Sequence, residues 1–360
     1  MKYLIVQDWQ STHGNHAGMV HMCKLLKEKW PEEYEVYIKP LPRTFKMVEG
    51  DGLVAKCIRW LETQRVNYYR GVVYPREYKK LCASMFDKLK PADEVFLLEY
   101  LIPWCSQYEL ACYLRNNFPF IKIFALSHLT VKYFKESPSL LENNIIKRWS
   151  APIDMMLTLG TSLSNFFLLN GIDINKISTG FHYVDNNYYF RKKLDDVFVG
   201  NTMTIISMGA LQRDYSLLAD VVARCHDVHW IICRGRKNVD DMFKKSQNIE
   251  LKGYLSEKEL RDQMERADVS LNIMEDTVGS NVITTSMSMG LAMIVTDVGS
   301  IRDYCDEGNA VLCKNNVYDI VEAVKYLKSN KKRLLEMRKN SIEKSKLLSI
   351  ENVHKWFSNL

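Results

Sequence analysis

Short apolar runs alternate with amphipathic helical patterns twice along this chain, and that alternation limits the folds available to it. The runs cover residues 3–6, 35–38, 95–98, 121–126, 154–159 and 176–179, and then 203–207, 228–233, 249–251, 269–273, 292–295 and 310–312. Because strands joined through helices pair in parallel, each series predicts one parallel sheet covered by helices. The predicted fold class is α/β, with two doubly wound Rossmann-like domains. Ligands of such sheets lie beyond the carboxyl ends of the strands, here in a central cleft between the domains.

A polar stretch separates the two series. Residues 186–202 are rich in Asn, Asp and Gly and predict a linker between a first domain, 1–185, and a second domain, 203–345. The remaining residues, 346–360, contain Trp356 and Phe357, whose apolar side chains predict that this tail packs on another surface.

Composition excludes several classes of protein. No run of about eighteen apolar residues occurs, so no membrane-spanning helix is expected. The chain opens directly on a strand pattern, which predicts no signal peptide. The nine cysteines form no CxxC pair and have no histidines at ligand spacing, which favours buried thiols in a reducing cytoplasm. We expect no metal site, and no Asp-x-Asp motif is present to hold a metal–diphosphate complex.

The segment 275–299, EDTVGSNVITTSMSMGLAMIVTDVG, predicts a turn, a helix and a strand in succession. The turn contains Gly279, Ser280 and Asn281, and Gly290 ends the helix. A small-residue turn before a helix presents free backbone N–H groups and the positive end of the helix dipole, which suit a phosphate group. An ordinary βαβ crossover can have the same glycine turn, so the turn alone leaves both interpretations open.

The order of these pieces resembles the donor-binding segment of family 4 glycosyltransferases, which are retaining enzymes. That family has a Glu, a Gly-containing loop, a helix reading roughly Glu-Ala-Met-Ala-x-Gly and a strand ending in Thr-Asp-x-Gly. Here the helix reads TSMSMG over residues 285–290. The resemblance covers about residues 154–345 and is vaguer in the first half, where strand order, the first loop and Ser127-His128 match. It implies the GT-B architecture, in which the last helix crosses back to the first domain.

The resemblance assigns a cation for the leaving diphosphate. In the family, the loop after the first strand of the second domain often carries Arg just after a glycine and Lys a few residues later. Here Gly209 is followed by Ala210, and Arg213 occupies the later position. The resemblance therefore implies Arg213 as the diphosphate-binding cation. The alternative interpretation is that Arg213 is an ordinary surface arginine at the start of a helix.

On the first domain, the resemblance implies one catalytic histidine and one loop. His128 follows an apolar strand, where the family places a histidine that contacts the donor sugar across the cleft; a lone histidine there is otherwise more often structural. The first loop would approach the acceptor and the diphosphate through backbone groups beside a glycine. Its acceptor-side residues are His13, Gly14, Asn15 and His16, and Gly18 best matches the family's glycine.

The carboxylates depart from the family pattern of two glutamates separated by seven residues. The second glutamate, which holds the nucleotide ribose, falls at Thr285, a residue with less reach and no charge. The first falls near Thr277, or with a small shift at Glu275 or Asp276, and we expect one of these two carboxylates to hold the sugar hydroxyls. The remaining implied donor-site residues are Val282, Tyr254 and Leu255, the last two at a turn that presents backbone to the nucleobase. The arginines of the Cys233-Arg234-Gly235-Arg236 loop add phosphate contacts or face water.

The positive charge is concentrated in one stretch. Residues 56–90 hold nine basic and three acidic residues, an excess equal to the whole chain's net charge of +6. Trp60 and four tyrosines are interleaved with them. This pattern suits anionic lipid headgroups, or a nucleic-acid backbone, or a solvated helical face with aromatic residues turned inward. We expect peripheral contact with an anionic membrane and no nucleic acid.

The sequence therefore predicts a retaining glycosyltransferase at the inner face of the cytoplasmic membrane. The co-substrate would be a UDP- or GDP-linked sugar, with no further cofactor, and the acceptor a glycan or a lipid-linked glycan in surface polysaccharide biosynthesis. Two alternatives remain: a sugar-nucleotide epimerase, which shares the two-domain architecture, and a catalytically silent partner of another transferase. Ala210 and Thr285 stand where the family has Arg and Glu. These two losses leave open the interpretation as a catalytically silent partner.

Overall fold

The computed structural model describes residues 1–8, 15–39, 52–85, 89–102, 105–136, 145–194, 198, 202–244 and 246–360. Its strands form two six-stranded sheets in which every neighbouring pair is parallel. The predicted fold class, two doubly wound α/β domains, is confirmed.

The first sheet has the strand order β2-β1-β3-β4-β5-β6. Its strands are β1 (Lys2–Gln7), β2 (Tyr34–Lys39), β3 (Glu94–Leu97), β4 (Lys122–Ser127), β5 (Met155–Thr158) and β6 (Ile177–Thr179). The helices of this half are α1 (Met19–Lys29), α2 (Leu53–Tyr68), α3 (Tyr74–Met85), α4 (Gln107–Asn117), α5 (Val131–Lys135), α6 (Ile145–Ser150) and α7 (Thr161–Leu169). A π-helical turn, Tyr69–Val73, joins α2 to α3.

The second sheet has the order β12-β11-β10-β7-β8-β9. Its strands are β7 (Thr204–Met208), β8 (His229–Cys233), β9 (Ile249–Lys252), β10 (Val269–Asn272), β11 (Ala292–Thr296) and β12 (Ala310–Cys313). The helices are α8 (Tyr215–Val222), α9 (Asp240–Phe243), α10 (Glu257–Glu265), α11 (Asn281–Ser288), α12 (Val317–Ser329), α13 (Lys331–Ser345) and α14 (Ile350–Ser358).

Both sheets are buried on both faces, as parallel sheets covered by helices must be. In β1, Tyr3 and Ile5 pack on one side of the sheet, and Leu4 and Val6 pack on the other beside α1. The central strand β11 is buried at all five positions, so its sequence reads as a continuous apolar run rather than an alternating one. The buried positions determine the length of each strand. The polar residues that follow the strands then meet at the carboxyl ends of the two sheets.

The last helix of the chain packs on the first domain. The Phe357 ring stacks on Phe96 of β3 with ring centroids 4.5 Å apart. The Trp356 indole N–H donates to the Ser178 hydroxyl at 2.9 Å. A side chain at Gly180 would collide with the Trp356 ring, so glycine is what allows this close approach. The two domains are therefore joined by this helix as well as by the connection near residue 190.

α12 and α13 are separated at Asn330, whose backbone lies outside the helical region at φ −123° and ψ 67°. Its side-chain amide donates to the Tyr326 carbonyl at 2.8 Å, which satisfies an oxygen left free at the end of α12. Among the helices of the described residues, none is long and apolar enough to cross a bilayer.

Candidate functional site

A cavity of about 910 Å³ lies between the two sheets at the carboxyl ends of their strands. It is lined by the loops after β1, β3, β4, β7 and β10 and by the first turns of α1 and α11. In each sheet the chain reverses its direction of winding at one place, between β1 and β3 and between β7 and β10. Crevices at these switch points are where open α/β sheets bind ligands. The fold therefore places this cavity where a ligand is expected.

The N-terminus of α1 opens into the cavity. Gly18 caps this helix with extended backbone, and a side chain there would crowd the Asn15 amide at 2.8 Å. Met19, Val20 and His21 of the first turn line the cavity with Gly18. The N–H groups of a first turn have no acceptor within their own helix, so they are available to a ligand.

The N-terminus of α11 faces the same space. Its turn is built from the small residues of the sequence motif, and Gly279, Ser280, Asn281 and Val282 all line the cavity. Ser280 caps the helix, because its hydroxyl accepts from the Val282 N–H at 3.3 Å. Gly279 has φ +110°, and a side chain there would collide with the Tyr304 hydroxyl. Two helix N-termini thus converge on one cavity and favour an anion in it.

Arg213 is a partly buried cation in the wall of the cavity. It precedes Asp214, whose carboxylate caps α8 by accepting from the Leu217 N–H at 2.9 Å. The Arg213 Nε donates to the Met208 carbonyl at 3.2 Å and its Nη1 to the Leu211 carbonyl at 3.4 Å, and these contacts hold the guanidinium beside Gly209. Burial lowers the pKa of Arg213 to about 10, and within the described residues no carboxylate pairs with it.

His128 lies at the end of β4 on the opposite side of the cavity. Its Nε2 is 3.2 Å from Oε2 of Glu99, a carboxylate that is only 1% exposed. Burial, together with repulsion from His182, lowers the pKa of His128 to about 4. The imidazole is therefore neutral near pH 7 and serves as a hydrogen-bonding group. Its Nδ1 has no hydrogen-bond partner in the described structure.

The sequence analysis did not identify two further residues at this wall, Glu99 and His182. Glu99 follows directly on the apolar run of β3, so its position at a carboxyl strand end was visible, but a single glutamate there carries no motif. His182 also lines the cavity, and burial lowers its pKa to about 4. Its Nδ1 donates to the Tyr183 carbonyl at 3.2 Å. Lys24 adds a cation from α1, one turn beyond His21.

Glu275 and Asp276 do not line the cavity. The Glu275 carboxylate pairs with the ammonium group of Lys132 in α5. Asp276 accepts from the Lys132 backbone N–H at 2.7 Å, and its other oxygen accepts from the Thr277 N–H at 2.8 Å. Both carboxylates therefore join the loop after β10 to the first domain. Their contact with sugar hydroxyls stays a prediction, and it would require these bonds to rearrange.

Thr285 is also outside the cavity wall. Its side chain is buried, and its hydroxyl donates to the Asn281 carbonyl at 2.6 Å, one turn earlier in α11. The hydroxyl is thus satisfied within its own helix. The predicted ribose contact stays a prediction.

The remaining predicted residues are spread around the site. Tyr254 is exposed beside Arg236, whose guanidinium lies 5.0 Å from the ring centroid, and Leu255 packs against the core of the second domain. Asn15 lines the cavity, whereas His16 turns to Asp185, with Nδ1 2.8 Å from Oδ2. His13 and Gly14 lie outside the described residues.

The likeness to known proteins agrees with this geometry. Residues 202–330 match the family described as Glycosyl transferases group 1. No curated protein sequence gives a significant match to the chain.

Three solved structures cover essentially the whole chain. HepE of Anabaena, in complex with UDP and glucose, is similar with a TM-score of 0.68 at 13% identity over 100% of both chains. Sucrose-phosphate synthase of Thermosynechococcus elongatus gives a TM-score of 0.73 at 11% identity over 100% of this chain and 98% of its own. The lipopolysaccharide outer core galactosyltransferase WaaB, in its apo form, gives 0.67 at 17% identity over 100% of both. The second domain thus matches the group 1 glycosyl transferases, and the whole chain has the GT-B fold of two Rossmann-like domains facing a cleft.

Proposed function

We propose that this chain is a retaining glycosyltransferase that moves a sugar from a UDP- or GDP-linked donor to a glycan or lipid-linked acceptor. The observation that carries the proposal is the partly buried Arg213, which has no carboxylate partner among the described residues and lies on a cavity that two helix N-termini also face. A desolvated cation is costly unless a ligand of opposite charge completes the site. A nucleoside diphosphate supplies two phosphates of the required sign.

The leaving diphosphate would be neutralised by the protein rather than by a metal ion. Arg213 and the first turns of α1 and α11 provide a guanidinium and backbone N–H groups, the donors that stabilise developing phosphate charge. As the glycosidic bond of the donor breaks, a phosphate oxygen would take the proton of the acceptor hydroxyl on the same face. The acceptor oxygen then bonds to the anomeric carbon with retention, and no protein nucleophile is needed.

His128 would hold the donor sugar. Its imidazole is neutral because burial lowers the pKa to about 4, so it donates through one ring nitrogen and accepts through the other. With Nε2 directed at Glu99, the unpartnered Nδ1 is left to accept from a sugar hydroxyl. Glu99 orients the ring in the same way that carboxylates orient catalytic histidines elsewhere.

The acceptor side is proposed to lie at a membrane. α2, the π-helical turn and α3 follow one another without a break and present exposed apolar and basic residues, the α2–α3 surface. Its most exposed apolar residues include Leu53, Val54 and Trp60, at 83%, 73% and 61% exposure. Basic residues, among them Arg59, Arg76, Lys79 and Lys80, are exposed on the same helical run. Apolar residues surrounded by positive charge suit the anionic inner leaflet of a cytoplasmic membrane, where lipid-linked acceptors for surface polysaccharides would be met.

Ligand binding tests the proposal most directly. Thermal shift and saturation-transfer NMR against a panel of UDP- and GDP-sugars should identify one donor that stabilises the protein. At a ligand concentration of 100 times Kd, the expected stabilisation is about 2.7 kcal/mol. Slow hydrolysis of that donor, with release of the nucleoside diphosphate, should accompany binding. If no nucleotide sugar or nucleoside diphosphate binds, the proposal is wrong; binding without any turnover would identify a silent nucleotide-sugar-binding protein instead.

A further inference from the structure

Three side chains with metal-ligating groups meet beside the cavity, at the N-terminal end of α1. His16 Nδ1 lies 2.8 Å from Asp185 Oδ2, and His21 Nε2 lies 3.0 Å from the same oxygen. The potential ligand atoms of all three residues lie within 4.8 Å of one another. His16 precedes α1, His21 is in its first turn, and Asp185 lies more than 160 positions further along the chain. Spacing in the sequence therefore gave no sign of the cluster.

Hydrogen bonds and a ring contact from neighbouring residues hold the three side chains of the cluster in place. The second oxygen of Asp185 accepts from the backbone N–H groups of Asn187 and Tyr188, at 3.0 and 3.3 Å. The Tyr188 ring stacks on the His16 ring with centroids 3.8 Å apart. The His16 backbone N–H donates to Glu257 at 2.7 Å, which ties this loop to α10. Contacts of this kind orient metal ligands and hold them in register.

The hydrogen-bonded arrangement suits a cation. One Asp185 oxygen faces a ring nitrogen of each histidine, so the two hydrogen bonds converge on that oxygen. A metal ion would take the place of the protons in these two hydrogen bonds.

We propose that His16, His21 and Asp185 bind a divalent transition-metal ion of the Zn²⁺ class. Two imidazole nitrogens and one carboxylate oxygen are a ligand set of zinc and related ions that leaves one coordination position open. Magnesium, by contrast, prefers oxygen ligands. Around a tetrahedral ion the ligand atoms would stand about 3.3 Å apart, so the two nitrogen–oxygen distances of 2.8 and 3.0 Å would lengthen by a few tenths of an ångström.

This site uses side chains, whereas the diphosphate contacts proposed for α1 are backbone N–H groups, and it does not depend on the proposed transferase activity. The ion would fasten the segment before α1 to the start of the connection between the domains. Because His21 lines the cavity, the open coordination position lies near its wall, where a hydroxyl or water can occupy it. We expect the ion to stabilise the α1 end of the cavity.

The test uses the full chain, first treated with EDTA and then titrated with Zn²⁺ or Co²⁺. Wild-type protein should bind one equivalent of Zn²⁺ by equilibrium dialysis and elemental analysis, with a raised Tm. Co²⁺ should give visible d–d absorption. His21→Ala and Asp185→Asn should each weaken binding at least tenfold; Asp185→Asn retains an oxygen acceptor for the backbone bonds and protects the fold.

The matched control is His229→Ala. His229 Nε2 lies 2.9 Å from Glu250 with similar exposure, but no third metal-ligating residue completes a site there among the described residues. This variant should bind metal as the wild type does. If wild-type protein binds no stoichiometric ion, or if His16→Ala, His21→Ala and Asp185→Asn all leave the affinity unchanged, the cluster is only a hydrogen-bonded network and the proposal is overturned.

Discussion

Arg213 is expected to be unfavourable for the fold and useful for ligand binding. Its guanidinium is partly buried without an acidic partner among the described residues, and burial lowers its pKa to about 10. Such a charge is a cost until an anion arrives. A residue kept under these conditions is better explained by a ligand than by stability, since stability and function often conflict at active sites.

Arg213→Ala should therefore separate the two effects. We expect turnover to fall by 10²–10³-fold, about 2.7–4 kcal/mol of transition-state stabilisation, because a charge-assisted contact to the diphosphate is lost. The free energy of unfolding should stay the same or rise, because the desolvated charge is gone. Steady-state kinetics and urea unfolding measure both, with exposed Arg224→Ala as the control. Activity within tenfold of wild type would remove Arg213 from the site.

His128→Ala should lower kcat more than it lowers donor affinity, because the proposed contact is with the reacting sugar. Glu99→Gln should produce a smaller loss of kcat, since it removes the charge that faces the ring but keeps the size of the side chain. Calorimetry with the donor, beside steady-state kinetics, separates affinity from rate. A donor-bound structure with His128 far from the sugar would contradict this role.

Thr285 tests how far the family pattern extends. The buried hydroxyl donates to Asn281, so Thr285→Val should cost about 1 kcal/mol of unfolding free energy through the lost hydrogen bond. Thr285→Glu should cost more, because the helix leaves no polar partner for a buried carboxylate. Urea unfolding compares the two. If Thr285→Glu is as stable as wild type and binds donor more tightly, the side chain faces the ribose after all.

At the scale of elements, the parts that local chemistry specifies were predictable. Small residues at 279–281 and the glycine at 290 set both ends of α11 within one residue, because capping and positive φ depend only on neighbouring residues. The partners of Glu275 and Asp276 were not predictable, because Lys132 lies about 140 positions away. The same applies to His16 and His21, which meet at Asp185. Long-range polar contacts depend on how loops meet, and no periodicity in the sequence records that.

The α2–α3 surface carries a prediction at this scale. Changing Arg59, Arg76, Lys79 and Lys80 together to Gln should release the protein from anionic vesicles while sparing turnover on a soluble acceptor mimic. Each basic residue near such a surface contributes about 1 kcal/mol. Co-sedimentation with vesicles of anionic or neutral lipid measures the effect, and wild-type binding should weaken as salt rises.

The matched control changes four exposed lysines of the second domain, Lys258, Lys325, Lys332 and Lys339, to Gln. This variant loses the same charge but should sediment like wild type. Equal sedimentation of both variants, or no wild-type binding to anionic vesicles, would refute docking through this surface. The transferase proposal would survive either result.

At the scale of the whole molecule, the two domains are held together beside the cavity as well as through α14. The Asp303 carboxylate accepts from the Thr161 backbone N–H at 2.6 Å and from its hydroxyl at 2.8 Å. The Ser162 and Ser300 hydroxyls are hydrogen-bonded at 2.6 Å. With the Lys132–Glu275 pair, these contacts close one side of the cleft. The fold could be predicted from the alternation of strands and helices. The contacts between the domains could not, because loop residues make them and the alternation carries no information about loops.

The histidines in the cleft make the stability of the molecule depend on pH. Burial lowers the pKa values of His128 and His182 to about 4, against about 6.5 in the unfolded chain. Between these values the unfolded chain binds protons that the folded one does not, so acid favours unfolding. The stability contributed by the neutral imidazoles is complete above about pH 7 and is lost as pH falls from about 6.5 to 4. Each histidine changes the unfolding free energy by at most about 1.4 kcal/mol per pH unit.

Urea unfolding at pH 7 and pH 5 should therefore show a smaller loss of stability in His128→Asn and in His182→Asn than in wild type. Carboxylates also titrate over this range, so the comparison with variants isolates the histidines. His226→Asn, at an exposed position, should lose as much as wild type does. An equal loss in all four proteins would mean that the cleft histidines are protonated without cost. Their imidazoles would then be open to water, and His128 could not act as the neutral partner of a donor sugar.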